Sequence, residues 1–507
     1  MIEMTLLIKN VRILGADRTF PEPMDVFVSD DKISAIGSFP NKAADDVVDG
    51  QGAYLSPGFI DVNTDSDHYL TLFEHPGQED FLRQGVTTIF GGMCGSSLAP
   101  LFYGSLESIR KWSGGTAMNI DWHTMGEFLA ALDKRPLAVN FGTMVGHSTI
   151  RRAIVGEALR DLTKNELDVF KATLRAALDE GGFGLSTGLA YVHSRKTPYS
   201  EIKALATVVQ EKGGMYATHL RDVGEHIGDS IEETVRLAKE TGVRALVSHF
   251  VPLRTARAAY ERALARVNEL PKEFNFHFDL YPFDSMLLPL YTFLPLWAQN
   301  GGLEAMLANL KDEWLGPKIK NDMPPLDDGS FMVAHAPGNE FFVGKTLEDI
   351  KTMYDLRDGR EALLRFMAAV GLRGTIVYRN LDTDLILKAM TSPRSFVASN
   401  APSFGEISSG SQIKSERSVA TFTKFLSLVE NENLLPLEIA IKKITLEPAQ
   451  TFGLANRGLI KEGNIADLTC FKNGSIHFTI VGGKVVVKDG EFQDKFPGKV
   501  LRRGART

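Results

Sequence analysis

Two histidines lie where predicted strands end, a position from which side chains of neighbouring strands can act together. His219 closes the strand-like stretch "MYATHL", and His249 closes "ALVSHF". One strand-helix-strand unit separates them, the spacing that brings neighbouring strand ends together in a parallel sheet. A single histidine at a strand end is often a hydrogen-bonded structural residue. Two in consecutive units make a shared metal site as good an interpretation as a structural role.

A cysteine offers a third ligand of the same kind. Cys94 follows the apolar strand in "TIFGGMCGSSLAP" and precedes a Gly/Ser turn. Alone it would be read as a small buried residue. Together with His219 and His249 it makes a Cys, His, His set, which suits Zn²⁺ and leaves a fourth position for water. Zinc lowers the pKa of a bound water to about 7 and so supplies hydroxide near neutrality.

The elements that would position these residues alternate along the middle of the chain. Short β-rich stretches such as "GVTTIFGG", "GFGLSTGLA" and "FNFHFDLYP" are separated by stretches of helical spacing such as "TKNELDVFKATLRAALDEG" and "SIEETVRLAKETG". Repeated strand and helix units predict a parallel sheet, and this many predict a TIM-like (β/α)₈ barrel of class α/β. Polar residues at the strand ends then mark its active face.

Both ends of the chain differ from the middle. Residues 1–56 and 449–507 read as short strands with Gly- and Asp-rich turns, so we expect one small β-sandwich assembled from both termini. Residues 57–448 would form the barrel. At about 284–344 a Pro- and aromatic-rich run interrupts the alternation of strand and helix patterns, which predicts a lid-like insertion over the barrel mouth.

The bulk composition narrows the partners. The 507 residues are 44% hydrophobic and 23% charged, with a formal net charge of -7 and no long run of one sign. Nothing in this composition indicates nucleic acid or an anionic membrane as a partner. The chain has two cysteines, and its N-terminus lacks the basic start and unbroken apolar core of a signal peptide. We therefore expect a reduced, cytoplasmic protein without transmembrane spans. The oligomeric state is not predicted.

Read end to end, the sequence resembles the N-acyl-D-amino-acid deacylase (D-aminoacylase) family of the amidohydrolase superfamily. The resemblance rests on "SPGFID", "QGVTTIFGGMCGSSLAP", "GGMYATHLRDVGEHI", "DLYPFDS" and "LEPAQTFGLANRGLIKEGNIADLTCF". The cysteine in "MCGSSLAP" is specific to this branch, because many relatives use a carboxylated lysine there.

The resemblance implies a function and several site residues. It implies that Cys94, His219 and His249 hold one zinc, and that Tyr281 lies near the substrate. Arg417 falls at a family arginine position, where a guanidinium could pair with a substrate carboxylate, although a plain surface arginine fits equally. The implied activity is hydrolysis of an N-acyl D-amino acid, or a related acyclic amide, by attack of a metal-bound hydroxide.

Three positions depart from the family pattern together. The family's His-x-His pair falls on Asn63 and Asp65, and its catalytic aspartate falls on Asn400. Asn63 and Asp65 still point to the same face of the strand. Asp65 can ligate zinc, whereas an asparagine amide is a poor zinc ligand, so a second metal is not expected.

The change at Asn400 is the graver one, because an amide cannot accept or deliver the proton. General acid-base catalysis contributes about 10²- to 10⁴-fold. Asp65 is our first candidate for the substitute base, with Asp67, Asp222 and His68 as others. Alternatively, Asp65 only satisfies hydrogen bonds.

Two functions therefore stay open at the level of sequence. One is a zinc-dependent amidohydrolase that retains its activity. The other is a catalytically impaired relative that binds metal or ligand without efficient turnover. Ring-opening reactions of the dihydroorotase or hydantoinase kind are disfavoured, because the branch-specific motifs indicate acyclic amides. The complete Cys94, His219 and His249 set favours retained chemistry.

Overall fold

A sheet built from both ends of the chain forms the first part of the fold. The computed structural model of the protein describes residues 4–14, 22–102, 120–323, 326, 328–405 and 412–504. Within them, nine strands of the two termini join in one sheet around an apolar core of their own. These strands are Thr5–Ile13, Met24–Ser29, Lys32–Gly37, Asp46–Asp49, Tyr54–Pro57, Leu468–Lys472, Ser475–Val481, Lys484–Lys488 and Glu491–Phe492.

The middle of the chain forms the barrel. Its parallel strands fall into two hydrogen-bonded groups, of which the first is Phe59–Asp61, Val86–Gly91 and Asn140–Thr143. The second group is Val145–Gly146, Gly184–Gly188, Met215–His219, Arg244–Val247, Phe276–Leu280 and Ser395–Val397. Asn140–Thr143 and Val145–Gly146 are two parts of one barrel position. The last position meets the first through a main-chain hydrogen bond, in which the backbone N–H of Asn400 donates to the backbone carbonyl of Asn63 at 2.9 Å. The predicted TIM-like barrel is confirmed.

Helices cover the outside of the barrel because their apolar residues recur at helical spacing. Lys164–Asp179 begins with a capping box between Thr163 and Glu166 and buries Phe170 and Leu174. The other helices outside the barrel strands are Thr71–Glu74, Glu79–Leu82, Met125–Asp133, His147–Val155, Tyr199–Glu211, Ile227–Thr241, Arg257–Asn268, Thr383–Met390, Glu416–Glu432, Leu437–Ile444 and Leu446–Phe452.

The barrel interior is packed with side chains and is not a pore. Phe90 and Phe452 have ring centroids 4.1 Å apart, and Phe183 packs edge-on against Phe90. Phe452 belongs to the last helix before the C-terminal strands. These aromatic rings belong to the buried apolar cluster that fills the barrel interior.

An inserted unit with its own core follows the seventh barrel strand. Its antiparallel strands are Ser285–Pro289, Phe331–His335 and Thr375–Arg379, and its helices are Gly302–Lys311, Leu315–Asp322, Leu347–Met353 and Gly359–Ala369. The sequence pattern placed the end of the insertion at residue 344, but this sheet extends beyond it. The reason is that the third strand, Thr375–Arg379, follows the helices in the chain and pairs with the first strand. Residue 448, the predicted end of the barrel, lies inside the helix Leu446–Phe452. The domain limits themselves stay a prediction.

Two further observations bear on the sequence expectations. None of the helices in the described ranges combines the length and hydropathy that a membrane crossing needs. Cys94 and Cys470 are both buried, and neither forms a disulfide.

His277 makes the stability of the barrel sensitive to acid. Its ring stacks on Phe396 with centroids 4.6 Å apart, and within the described residues its Nδ1 has no hydrogen-bond partner. Burial, with the charges of Arg394 and Lys443, lowers its pKa to about 4. The unfolded chain binds this proton at an ordinary pKa of about 6.5, so the free energy of unfolding falls as the pH drops below that value.

We expect His277→Phe, which keeps an aromatic ring and removes the titration, to weaken this dependence. Between pH 7.5 and pH 5.0 the variant should lose roughly 2 kcal/mol less of its unfolding free energy than the wild type. Urea unfolding at the two pH values measures this difference. Equal losses in both proteins would show that His277 is not the group responsible.

Candidate metal centre and active site

Three predicted ligands meet at the carboxyl ends of the barrel strands. The Cys94 Sγ, one ring nitrogen of His219 and one of His249 all lie within 4.8 Å of one another. The Cys94 Sγ lies 3.3 Å from the His249 Nε2, and the two imidazole rings meet edge to face with centroids 4.3 Å apart. Tetrahedral zinc with sulfur and nitrogen ligands holds the ligand atoms roughly 3.5 Å apart. The three residues therefore fit a metal ion of this kind.

The backbone at two of these residues is strained. Cys94 has φ 51° and His249 has φ 38°, in the left-handed region that non-glycine residues avoid. Such conformations persist only where neighbouring groups hold them. The Ser186 hydroxyl holds the Cys94 turn, because it accepts from the Gly95 N–H at 3.1 Å and donates to the Gly92 carbonyl at 2.5 Å. The main chain of His249 is held by Asp279.

Asp279 lies at the centre of a buried hydrogen-bond network that sequence analysis did not identify. Its Oδ1 accepts from the His249 backbone N–H at 2.8 Å and from the Asn400 side-chain amide at 2.9 Å. Its Oδ2 accepts from the Asn63 side-chain amide at 3.1 Å. Burial raises the pKa of Asp279 to about 6, although these three hydrogen bonds oppose the shift. Two of the three departures from the family pattern thus share one partner. The feature of the sequence that could have indicated Asp279 is an aspartate near the end of the apolar, strand-like stretch "FHFDL".

Asp65 pairs with His68, and both residues line the cavity that opens above the three-residue cluster. The His68 Nδ1 lies 3.1 Å from the Asp65 Oδ1, and the His68 Nε2 lies 3.1 Å from the Ser96 carbonyl oxygen. Burial disfavours a charged His68, but the carboxylates of Asp67 and Asp65 outweigh it and raise the pKa of His68 to about 9. His68 is therefore an imidazolium near neutral pH that donates from both ring nitrogens.

The charge of His68 also acts on Asp65. Burial alone would raise the pKa of Asp65, yet the hydrogen bond and charge of His68, with Arg417 adding, bring it below the ordinary value. Asp65 stays an anion in the cavity. The three-residue metal cluster does not include it, so its role as a metal ligand stays a prediction.

The other predicted base candidates lie elsewhere. The Asp67 Oδ2 accepts from the Gly92 backbone N–H at 2.6 Å, and the side chain is 1% exposed. The Asp222 Oδ1 accepts from the backbone N–H groups of Gly224 and His226. Neither aspartate lines the cavity above the cluster, whereas Asp65 and His68 both do.

A cavity of about 140 Å³ opens above the three-residue cluster. Its polar lining residues are the cluster itself, Asp65, His68, Asn400, Tyr191, Tyr281 and Arg417. Tyr191 lies beside the cluster, because it forms a side-chain hydrogen bond with Cys94 and its ring centroid lies 5.1 Å from that of His219. The remaining lining residues are mostly apolar and include a strand of the inserted unit; they are Val223, Val251, Leu253, Met286, Leu287, Leu288, Pro289, Tyr291 and Thr292. The cavity is small beside common ligand pockets of about 300–1,000 Å³, which favours a small ligand.

Arg417 is buried in this cavity and is not a surface arginine. It lies in the first turn of the helix Glu416–Glu432, and 5% of the residue is exposed. Its guanidinium lies 4.4 Å from the centre of the Tyr281 ring. Among the described residues no carboxylate forms an ion pair with it, and its Nε has no hydrogen-bond partner. A buried cation in this state suits an anionic ligand.

Comparison with known proteins gives a consistent picture. The sequence model of the amidohydrolase family matches residues 54–486. D-aminoacylase of Alcaligenes xylosoxydans xylosoxydans is 27% identical, over 99% of this chain and 98% of its own length. The N-acyl-D-aspartate deacylase of the same organism is 28% identical, over 95% of this chain and 89% of its own.

A solved structure of D-aminoacylase superposes with a TM-score of 0.79 at 25% identity, covering 98% of this chain and 99% of that one. It is described in terms of a binuclear metal centre, with one-metal activation and second-metal attenuation.

The cluster leads to a test of metal content. Protein purified without chelators should carry about one metal ion per chain, and Cys94→Ala should lose it, because two imidazoles alone hold zinc weakly. Cys470→Ala, which removes the other buried cysteine, should keep it. Elemental analysis by mass spectrometry measures all three proteins. Equal metal contents in the two variants would rule out Cys94 as a ligand.

Proposed function

Since the chain belongs to the amidohydrolase family and is a hydrolase of carbon–nitrogen amide bonds, we propose that its substrate is an N-acylated D-amino acid. The observation that carries this proposal is the buried guanidinium of Arg417 in the same cavity as Cys94, His219 and His249. One part of the site would bind a carboxylate, and the other would activate water beside the scissile amide. The relationship to D-aminoacylase along the whole chain supports the D configuration.

Arg417 would bind the substrate carboxylate. A planar guanidinium can give two parallel hydrogen bonds to a carboxylate, and the N-terminal end of the helix Glu416–Glu432 adds a favourable field for an anion. The Tyr281 ring packs against the guanidinium and holds it in the cavity. The carboxylate would thereby fix the position of the amide relative to the three metal ligands.

The apolar wall supports a neutral, apolar substrate side chain. Met286, Leu287 and Leu288 line the cavity from the strand of the inserted unit. Among the described residues that line the cavity, Arg417 is the only lysine or arginine. If Arg417 binds the α-carboxylate, a second carboxylate on the substrate would lie against apolar residues and lose its hydration. Acylated aspartate and glutamate are therefore disfavoured.

The residues of the site divide the chemistry between them. Cys94, His219 and His249 would hold one zinc ion, and such an ion supplies an acidified water and polarises a carbonyl. Asp65 would accept the proton of the attacking water, and His68 keeps its carboxylate oriented and charged. As the carbon–oxygen bond forms and the carbon–nitrogen bond breaks, this proton passes to the leaving amine nitrogen. Asn400 cannot take this part, because a neutral amide cannot accept or deliver the proton, and its nitrogen already donates to Asp279.

Assays of acylated amino acids test the proposal and the part of Arg417. The wild type should hydrolyse N-acetyl-D-leucine faster than N-acetyl-L-leucine or N-acetyl-D-aspartate. Arg417→Gln should lower kcat/KM for N-acetyl-D-leucine about 10- to 100-fold, as a charged hydrogen bond contributes about 1.5–3 kcal/mol. The loss should shrink for the matching amide that lacks the carboxylate. No hydrolysis of any N-acyl amino acid by the zinc-loaded wild type would refute the proposed function.

A second variant tests the base. Asp65→Asn should lower kcat about 10²- to 10⁴-fold, because it removes the proton acceptor while keeping the shape of the side chain. Asp80→Asn, which changes a buried carboxylate outside the cavity, should keep most of the activity. Steady-state rates at equal zinc content compare the two. If Asp65→Asn is as active as Asp80→Asn, another group transfers the proton.

A further inference from the structure

We propose that Asp279 is a positioning residue for the metal ligand His249, and that Asn63 and Asn400 support it in place of a second metal. We call these three residues the amide-carboxylate network. The inference rests on the metal site of the proposed function, but it does not depend on the substrate. It assigns a role to the positions where this chain departs from its family.

The network is buried, with only Asn400 reaching the cavity. Asp279 and Asn63 are 0% exposed and Asn400 is 5% exposed. The three hydrogen bonds to Asp279 come from the ends of three other barrel positions, which follow the strands Phe59–Asp61, Arg244–Val247 and Ser395–Val397. A buried carboxylate is costly unless donors satisfy it, and here every donor is fixed to a strand end.

The contact with His249 gives Asp279 its positioning role. His249 has φ 38°, and the Asp279 Oδ1 accepts its backbone N–H at 2.8 Å. A histidine in this conformation needs an external partner to keep it there. The conformation sets the direction in which the imidazole leaves the backbone, so the carboxylate determines where the His249 Nε2 meets the Cys94 Sγ. Groups that orient a metal ligand in this way contribute to metal affinity.

The same network argues against a second metal. The side-chain nitrogens of Asn63 and Asn400 both donate to Asp279, which leaves only neutral amide oxygens as ligands, and these bind zinc poorly. Among the described residues the buried Asn63 Oδ1 has no hydrogen-bond partner. The third altered position, Asp65, is paired with His68. In the described part of the chain, the one group of histidine, cysteine and acidic residues with metal-binding spacing is Cys94, His219 and His249. The site therefore differs from the binuclear centre named for D-aminoacylase.

Zinc binding by purified variants tests the positioning role. Asp279→Asn keeps the side-chain shape but replaces one acceptor oxygen with a donor that faces other donors. We expect its zinc dissociation constant, measured by competition with a chromogenic chelator, to rise about 10- to 100-fold. In the Co²⁺-substituted protein, the absorption bands that report thiolate and imidazole ligation should shift or weaken.

The control is Asp80→Asn. Asp80 is also buried and accepts from three groups, the Phe404 N–H, the Ser403 hydroxyl and the Lys414 ammonium, but it contacts none of the three metal ligands. This variant can lose thermal stability but should keep the zinc affinity and the Co²⁺ spectrum of the wild type. Asn63→Ala, which keeps Asp279 and removes one donor, should raise the dissociation constant by a smaller factor than Asp279→Asn.

The outcomes separate this inference from the proposed function. If the wild type binds zinc and Asp279→Asn binds it within twofold as tightly, the positioning role is wrong and the proposed function stands. The same conclusion follows if Asp80→Asn weakens zinc binding as much as Asp279→Asn does. A wild type that takes up two zinc ions per chain on titration overturns the replacement of the second metal. A wild type that binds no zinc overturns both proposals.

Discussion

The active end of this barrel depends on one buried carboxylate and on the groups that satisfy it. Asp279 is fully enclosed, and an enclosed charge without donors would destabilise the fold. Its donors are the Asn63 amide, the Asn400 amide and the His249 backbone. Because each donor follows a different barrel strand, satisfying the carboxylate also fixes the relative positions of those strand ends. Stability and the geometry of the proposed metal ligands would therefore depend on the same hydrogen bonds.

The sequence predicted the parts of the structure that follow from periodicity. Strand and helix spacing gave the barrel, and the alternating strands of the two termini gave the separate sheet. His219, His249 and Cys94 could be grouped because each ends a buried strand, and the carboxyl ends of parallel strands meet at one face. The order of the strands along the chain is therefore enough to predict that these three residues lie close together.

The remaining site residues could not be found in this way, because their roles depend on partners distant in sequence. Asp279 accepts from Asn63, 216 positions away, and from Asn400, 121 positions away, and no local pattern records either contact. From the sequence, Arg417 could be a carboxylate-binding residue or a plain surface arginine. Its burial against Tyr281 in the structure distinguishes the two. The contribution of Met286 and its neighbours to the cavity depends on how the inserted sheet folds back over the barrel mouth.

The three altered positions make physical sense only as a set. A carboxylate at position 400 would lie where the Asn400 amide now donates to the Asp279 Oδ1 at 2.9 Å. Two buried carboxylates at that distance repel each other unless a proton or a metal ion lies between them. An asparagine removes the repulsion and supplies a donor, but it also removes the acid-base group. Asn63 adds the second side-chain donor, so both oxygens of Asp279 are satisfied without a metal. Proton transfer would then need a group outside this network, and among the described residues that line the cavity Asp65, which pairs with His68, is the one carboxylate.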